Sequence, residues 1–181
     1  MVELPAHVVR SDDWFVLLDP AWSGIPETAG TPPPEAVVGG WEVGANGTVG
    51  PFRPNPRYCP SGPDVPTDPV DAVLRRAAVG ERLGTEFLRL LRDSVVEIGC
   101  DEPGRPLVGA APDGSRCVVV ATAERQKDDV DVEQWLPVPG HLLAQAVPSG
   151  VDVLINPAGC APLRVPVENL VTAVPEGPAE V

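Results

Sequence analysis

Short apolar runs separated by turn residues dominate the first part of the chain. Residues 14–18, 36–43 and 48–52 each form a run of strand length. Asn46-Gly47, between the last two runs, is a dipeptide that favours a tight β-hairpin turn. This pattern predicts an N-terminal part that is rich in β-strands, with residues 1–13 as a frayed start.

The spacing of the apolar residues becomes helical near residue 68. Asp68 can cap a helix and Pro69 suits its first position. Gly80 is expected to end this helix, and a second one is predicted at residues 85–93. The apolar face of the first helix consists of Val70, Val73, Leu74, Ala77 and Ala78.

Strand-like and helical segments are mixed in the rest of the chain. Strands are predicted at 94–100, 107–110, 117–122, 134–138, 151–155 and 162–165, and short helices at 139–147 and 166–173. A doubly wound sheet is disfavoured, because strands and helices do not alternate regularly. The predicted class is α+β, a mixed or antiparallel sheet with helices packed on it and a β-rich N-terminal extension.

The proline distribution suggests how the chain is divided. The sequence contains 24 Pro residues, several of them in the segments 20–34 and 53–66, which are predicted to be loops. We therefore expect a β-rich N-terminal region over residues 1–66, an α+β domain over residues 67–174, and a disordered tail over residues 175–181.

Charge narrows the class of partner. The net charge is −13, from 26 acidic and 13 basic residues. Binding to nucleic acids or anionic membranes depends on Lys and Arg, so neither is expected. A basic protein partner is compatible with this charge, which can also serve solubility alone. The N-terminus has no apolar signal-peptide core and residues 117–121 form the longest apolar run, so we expect a cytoplasmic protein without membrane insertion.

Few residues suit catalysis or cofactor binding. The four cysteines form no C-x-x-C pair and only His7 and His141 offer imidazole, so no zinc site is expected. No phosphate-binding glycine motif is present, and no other cofactor is expected. A cysteine hydrolase would need Cys160 to approach His141 in space, and this remains an alternative.

The densest acidic group has two possible interpretations. Asp128, Asp129, Asp131 and Glu133 could bind a hard cation, but they lack the spacing of an EF-hand. We therefore favour a solvated, charged hairpin tip and expect no metal site.

The best candidates for binding a partner are aromatic residues in or near the Pro-rich segments. Tryptophan is frequent at interaction hot spots, and loops carry function more often than core elements do. Each tryptophan could also simply fill the core. The predicted partner-binding residues are Trp22, Trp41, Phe52, Arg53 and Tyr58.

Two parts of the sequence resemble known families. Residues 87–123, FLRLLRDSVVEIGCDEPGRPLVGAAPDGSRCVVVATA, and residues 136–170 resemble the SseB (enhanced serine sensitivity) type of domain. Residues 14–74 include WFVLLDPAWSG and FRPNP and resemble actinobacterial type VII secretion-associated proteins. The first likeness lacks the aromatic residue of the SseB strand end, since Ala121 to Ala123 stand there.

These resemblances imply a function without an enzyme reaction. They indicate a cytoplasmic, protein-binding accessory or chaperone-like factor of type VII secretion, and they bring no catalytic residues with them. Two alternatives remain open. An acidic immunity protein could neutralise a cognate secreted toxin, and a small hydrolase could act on a substrate that the sequence does not identify.

Overall fold

The computed structural model describes residues 7–22, 31–111 and 113–172. Within these residues the fold has helices and two β-sheets, one antiparallel and one mixed. This confirms the predicted α+β class with a strand-rich N-terminal part. The central part of the predicted loop at 20–34 and the predicted tail at 175–181 lie outside the described residues.

The elements follow the chain in this order. The strands are β1 (Val8–Ser11), β2 (Trp14–Leu18), β3 (Val37–Val43), β4 (Val49–Pro54), β5 (Val95–Cys100), β6 (Val108–Ala110), β7 (Arg116–Ala121), β8 (Gln134–Pro139), β9 (Asp152–Ile155) and β10 (Leu163–Val165). The helices are α1 (Pro69–Ala78), α2 (Gly84–Arg92), α3 (Leu143–Ala146) and α4 (Val167–Thr172). Short 3₁₀ turns occupy Pro34–Ala36, Glu124–Lys127 and Gly140–Leu142. No helix of the described residues is long and apolar enough to cross a bilayer.

The first sheet is an antiparallel meander in the order β1-β2-β3-β4. Its strand β1 corrects the prediction of a frayed start, because Val8 pairs with Leu17. A tight turn at Asp12-Asp13 joins β1 to β2, and Asp12 has a positive φ of 49°. Four residues are too few to show a strand pattern by themselves, so the pairing with β2 is what makes this segment a strand.

The hairpin of β3 and β4 confirms the predicted turn with a difference in detail. Gly47 has a φ of 80°, whereas Asn46 acts through its side chain, which accepts a hydrogen bond from the Thr48 N–H at 3.1 Å. In the middle of β3, a methyl group on Gly39 would overlap the ring of Phe52. Glycine is needed at this position because Phe52 packs directly over it.

The second sheet has the order β10-β9-β7-β5-β8. Its sixth strand, β6, lies off this path and pairs with β7. Only β7 and β9 are parallel. The side chains that β5, β7 and β9 point to one face of the sheet are buried, namely Val96, Ile98, Val118, Val120, Val153 and Ile155. The helices pack on that face, and the shared core includes Val73, Phe87, Leu91, Ile98, Val120, Leu143 and Ile155.

Helix α1 begins and ends as the sequence predicts. The Asp68 side chain accepts hydrogen bonds from two backbone N–H groups of the first turn, and Pro69 follows it. Gly80 stands after the helix with a φ of 101°, a conformation that suits glycine. Val70, Val73 and Leu74 are buried, so this amphipathic helix places its apolar face in the core.

The two sheets meet where β4 passes the start of β5. The Phe52 N–H donates to the Asp93 carbonyl at 2.7 Å, and Phe52 forms a parallel bridge with Ser94. This contact attaches the N-terminal strands to the second sheet at one defined register.

Proline marks the outer strands of the second sheet. Pro137 and Pro139 lie within β8, which occupies one end of the strand order. Pro162 and Pro166 flank β10, which occupies the other end. The row of N–H donors is therefore interrupted within β8, whereas the flanking prolines limit β10 to three residues.

Gly140 sets the distance between α2 and the 3₁₀ turn before α3. Its N–H donates to the Ser94 carbonyl at 2.8 Å, and a methyl group on it would overlap the carbonyl of Leu91. Since the neighbouring atoms are backbone, they cannot move aside without shifting the end of α2.

We predict that Gly140→Ala lowers the free energy of unfolding by about 1–3 kcal/mol, because overpacking forces a backbone shift. Gly84→Ala is the matched control, since Gly84 begins α2 and nothing lies within 4 Å of its added methyl group. Urea unfolding should show the control to be neutral or slightly stabilising. Equal effects of the two changes would contradict the role of Gly140.

Candidate functional site

The predicted aromatic binding residues lie mainly inside the molecule. Phe52 and Tyr58 are only 3% and 5% exposed, and they form a small core with Val38. Trp41 is half-buried against it, with its ring centroid 4.9 Å from that of Phe52. These three aromatic residues fill the core of the first sheet, which is the alternative that the sequence left open for Trp41.

The other two predicted residues are more accessible. Arg53 is exposed and Trp22 is half-buried. The Trp22 N–H donates to the Asp19 carbonyl at 3.0 Å, so Trp22 follows directly from the end of β2. The five predicted residues therefore do not form one exposed aromatic surface.

Tyr58 belongs to a buried polar cluster around Asp19. The Tyr58 hydroxyl donates to the Asp19 carboxylate at 2.7 Å. Ser61 donates to the same carboxylate from its hydroxyl at 2.7 Å and from its N–H at 3.1 Å, and the Ala21 N–H donates at 2.8 Å. These contacts fix the Pro-rich segment after β4 against the end of β2.

Asn55 fixes the other end of that segment. Its side-chain amide donates to the carbonyls of Pro34 and Val37 at 2.7 and 2.8 Å, and its side-chain oxygen accepts from the Arg57 N–H at 3.1 Å. The FRPNP string thus has a structural role in this fold.

The hydrogen bonds decide the charge of Asp19. Burial raises the pKa of Asp19, but the bonds from Tyr58, Ser61 and Ala21 outweigh it, and the pKa lies below its ordinary value of 3.8. Burial and the bond to the Asp19 carboxylate raise the pKa of Tyr58. The cluster is therefore an ionised carboxylate held by neutral donors.

We predict that Asp19→Asn lowers the free energy of unfolding by about 1–3 kcal/mol at pH 7, because it removes charge-assisted hydrogen bonds in a buried place. A lowered folded-state pKa gives stability that is present above pH 3.8 and is lost as the pH falls through the folded-state pKa. The difference between the wild type and Asp19→Asn should therefore narrow on acidification. Exposed Asp64→Asn is the control, and a difference that is constant from pH 7 to pH 2.5 would contradict the prediction.

A second buried polar cluster surrounds Asp68 at the start of α1. One carboxylate oxygen accepts from the N–H groups of Val70 and Asp71 at 2.8 and 3.0 Å. The other accepts from the hydroxyls of Thr122 and Thr67 at 2.7 and 2.8 Å. Burial raises the pKa of Asp68 despite these bonds, and the nearby Asp71 contributes in the same direction.

The cluster continues to the carboxyl ends of the parallel strands. Thr122 follows β7 and Asn156 follows β9, and the Asn156 amide donates to the Thr122 hydroxyl at 2.9 Å. Gln126 donates to the Thr67 hydroxyl at 2.8 Å. Ligands often bind at such strand ends. Here, however, every buried side-chain N or O atom of the described residues has a partner, so the cluster is a satisfied joint between elements.

We predict that Asp68→Ala lowers the free energy of unfolding by about 2–4 kcal/mol, because α1 loses its cap and the Thr122 hydroxyl loses its acceptor. The control is Asp64→Ala, an exposed aspartate of the preceding segment, which should change it by less than about 0.5 kcal/mol. Urea unfolding measures both. Similar values for the two variants would show that the buried cluster is not a joint.

His141 and Cys160, the pair considered as an alternative for nucleophilic chemistry, do not both line the groove between the helices. His141 is exposed and lines a groove between helices, and Cys160 is exposed but is not among the residues of that groove. The other exposed cysteine, Cys59, accepts a contact from Arg125 Nη2 at 3.1 Å. Burial raises the pKa of the Cys100 and Cys117 thiols.

The acidic group after β7 is on the surface. Asp128, Asp129, Asp131 and Glu133 are all exposed, and Asp128 lies 3.7 Å from Arg125. Within the described part of the chain, no group of three or more His, Cys, Asp or Glu side chains could hold a metal ion.

The feature that sequence reasoning missed is an apolar groove of about 190 Å³ between α2, α3 and α4. Gly140 and His141 complete its wall before α3. The apolar residues that line the groove are Leu88, Leu91, Ala144, Leu170 and Val171. Among them, Val171 has an exposed fraction of 58%.

The polar residues of the groove differ from the surface as a whole. They are Arg92, His141 and Gln145, and no carboxylate of the described residues lines the groove, although the chain has 26 acidic residues. The only signal in the sequence was the apolar residues of the helices predicted at 139–147 and 166–173. Nothing in the sequence showed that these helices meet α2.

No protein-family model, no curated protein and no solved structure matches this chain. The likeness to SseB-type domains and to type VII secretion-associated proteins therefore stays a prediction.

Proposed function

We propose that the chain is a non-catalytic, protein-binding accessory factor that binds its partner in the groove between α2, α3 and α4. The observation that carries this proposal is the apolar lining, with Val171 left 58% exposed at its rim. A concave, mostly apolar recess with a few polar groups is the usual form of a binding site.

The size of the groove favours a protein partner over a small-molecule substrate. Its volume of about 190 Å³ is below the range of about 300–1,000 Å³ that is usual for small-molecule sites. It suits one large apolar side chain that projects from a partner's surface. Such anchor residues supply much of the binding energy of protein interfaces.

The resemblance supplies the cellular setting of the proposal. A chain similar to type VII secretion-associated proteins would act in the cytoplasm, as an accessory or chaperone-like factor for a secretion component or a secreted substrate. An open groove that accepts an apolar side chain suits that role, because a chaperone-like factor covers apolar surface of its partner before assembly.

We predict that Val171→Asp weakens partner binding at least about tenfold, because it places an uncompensated charge in an apolar contact. Val79→Asp is the matched control, since Val79 is 82% exposed just after α1 and does not line the groove. Both positions are exposed, so neither change should disturb the fold.

The measurement is affinity capture from the native host followed by quantitative mass spectrometry. The wild type and Val79→Asp should retain the same specific protein, and Val171→Asp should lose it. A photo-crosslinking residue at position 171 should mark that protein directly, and one at position 79 should not. Retention by all three chains would refute the groove as the binding site.

A further inference from the structure

Resting on the proposed function, we infer that the occupant of the groove is an amphipathic helix of the partner, with one large apolar anchor and an acidic residue beside it. The inference concerns the chemistry of the partner segment. It therefore goes beyond the proposal that the groove binds protein.

The walls of the groove favour a helix over an extended strand. All lining residues belong to α2, α3, α4 and the 3₁₀ turn before α3. An extended peptide binds best by adding to a free sheet edge, and no strand contributes to this groove. A groove with helical walls suits the insertion of side chains from an amphipathic helix, which presents its apolar residues on one face.

The charges of the groove favour an acidic residue next to the anchor. Among the described residues, the only charged side chain that lines the groove is Arg92, and no carboxylate lines it. Arg92 also has an interaction within the chain. A guanidinium has five N–H donors, so Arg92 can bind a partner's carboxylate while it keeps that interaction.

The charge of the whole chain argues against a second copy as the occupant. Each copy carries a net charge of −13. Two copies would therefore repel each other outside the groove. A partner helix whose acidic residue is limited to the rim beside Arg92 avoids most of this repulsion.

The test is selection from a displayed library of helical peptides against the full chain. The library varies the apolar positions of one helix face, and it allows Asp, Glu, Lys, Arg or Ser at the flanking positions. We expect the selected peptides to carry one large apolar residue and to be enriched in Asp or Glu beside it. Fluorescence anisotropy with synthetic peptides then measures affinity.

Two pairs of variants test whether the peptides bind in the groove. Val171→Asp should weaken the binding of the selected peptides at least tenfold, and Val79→Asp should not. Arg92→Gln should weaken the binding of acidic peptides several-fold more than that of the same peptides with Glu replaced by Gln. The control Arg89→Gln, on the same helix but outside the groove, should leave the affinities of both kinds of peptide unchanged. Circular dichroism confirms that each variant is folded.

Different outcomes would contradict the inference and the proposed function. Groove-dependent peptides without acidic enrichment, or with extended Pro-rich sequences, would overturn the inference and leave the proposed function standing. Peptides insensitive to Val171→Asp, or no binders at all, would overturn the inference, and host capture unaffected by that change would overturn the function as well. A dimer in sedimentation velocity that Val171→Asp dissociates would assign the groove to a second copy.

Discussion

The buried carboxyl group of Asp68 is the point at which the helices and the second sheet are joined. Apolar burial is not directional, so it holds α1 on the sheet without fixing its position. The hydrogen bonds of Asp68 to the first turn of α1 and to Thr122 after β7 are directional, and Asn156 extends them to β9. Because α1 packs on α2, and α2 forms a wall of the groove, the shape of the groove depends on this joint.

The two buried aspartates show that burial and hydrogen bonding can shift the pKa of one kind of residue in opposite directions. Asp19 and Asp68 are each 3% exposed, and each accepts four hydrogen bonds of about equal length. The pKa falls for Asp19 and rises for Asp68. Burial raises the pKa of both groups, but it outweighs the hydrogen bonds only at Asp68, where the nearby carboxylate of Asp71 raises the pKa further. Hydrogen-bond donors alone therefore do not determine the charge of a buried acid.

Local signals in the sequence predicted local structure well. The cap at Asp68 and the strand at residues 14–18 depend on neighbours in the chain, and both are found as predicted. Features that depend on distant partners were harder to predict. Tyr58 was expected on a binding surface, yet its hydroxyl bonds to Asp19, 39 positions away. The groove is formed by three helices that are separate in sequence, so no local pattern of apolar residues predicted it.

The prolines of the outer strands have a consequence for the behaviour of the protein at high concentration. Open sheet edges are the usual template for fibrous aggregation, and proline interrupts the ladder by which another chain would extend the sheet. Pro137 and Pro139 interrupt the ladder within β8, whereas Pro162 and Pro166 limit β10 to three residues, so both outer strands of the second sheet resist such growth. With its two outer strands limited in this way, the second sheet can lie beneath exposed apolar side chains of its helices without growing at β8 or β10.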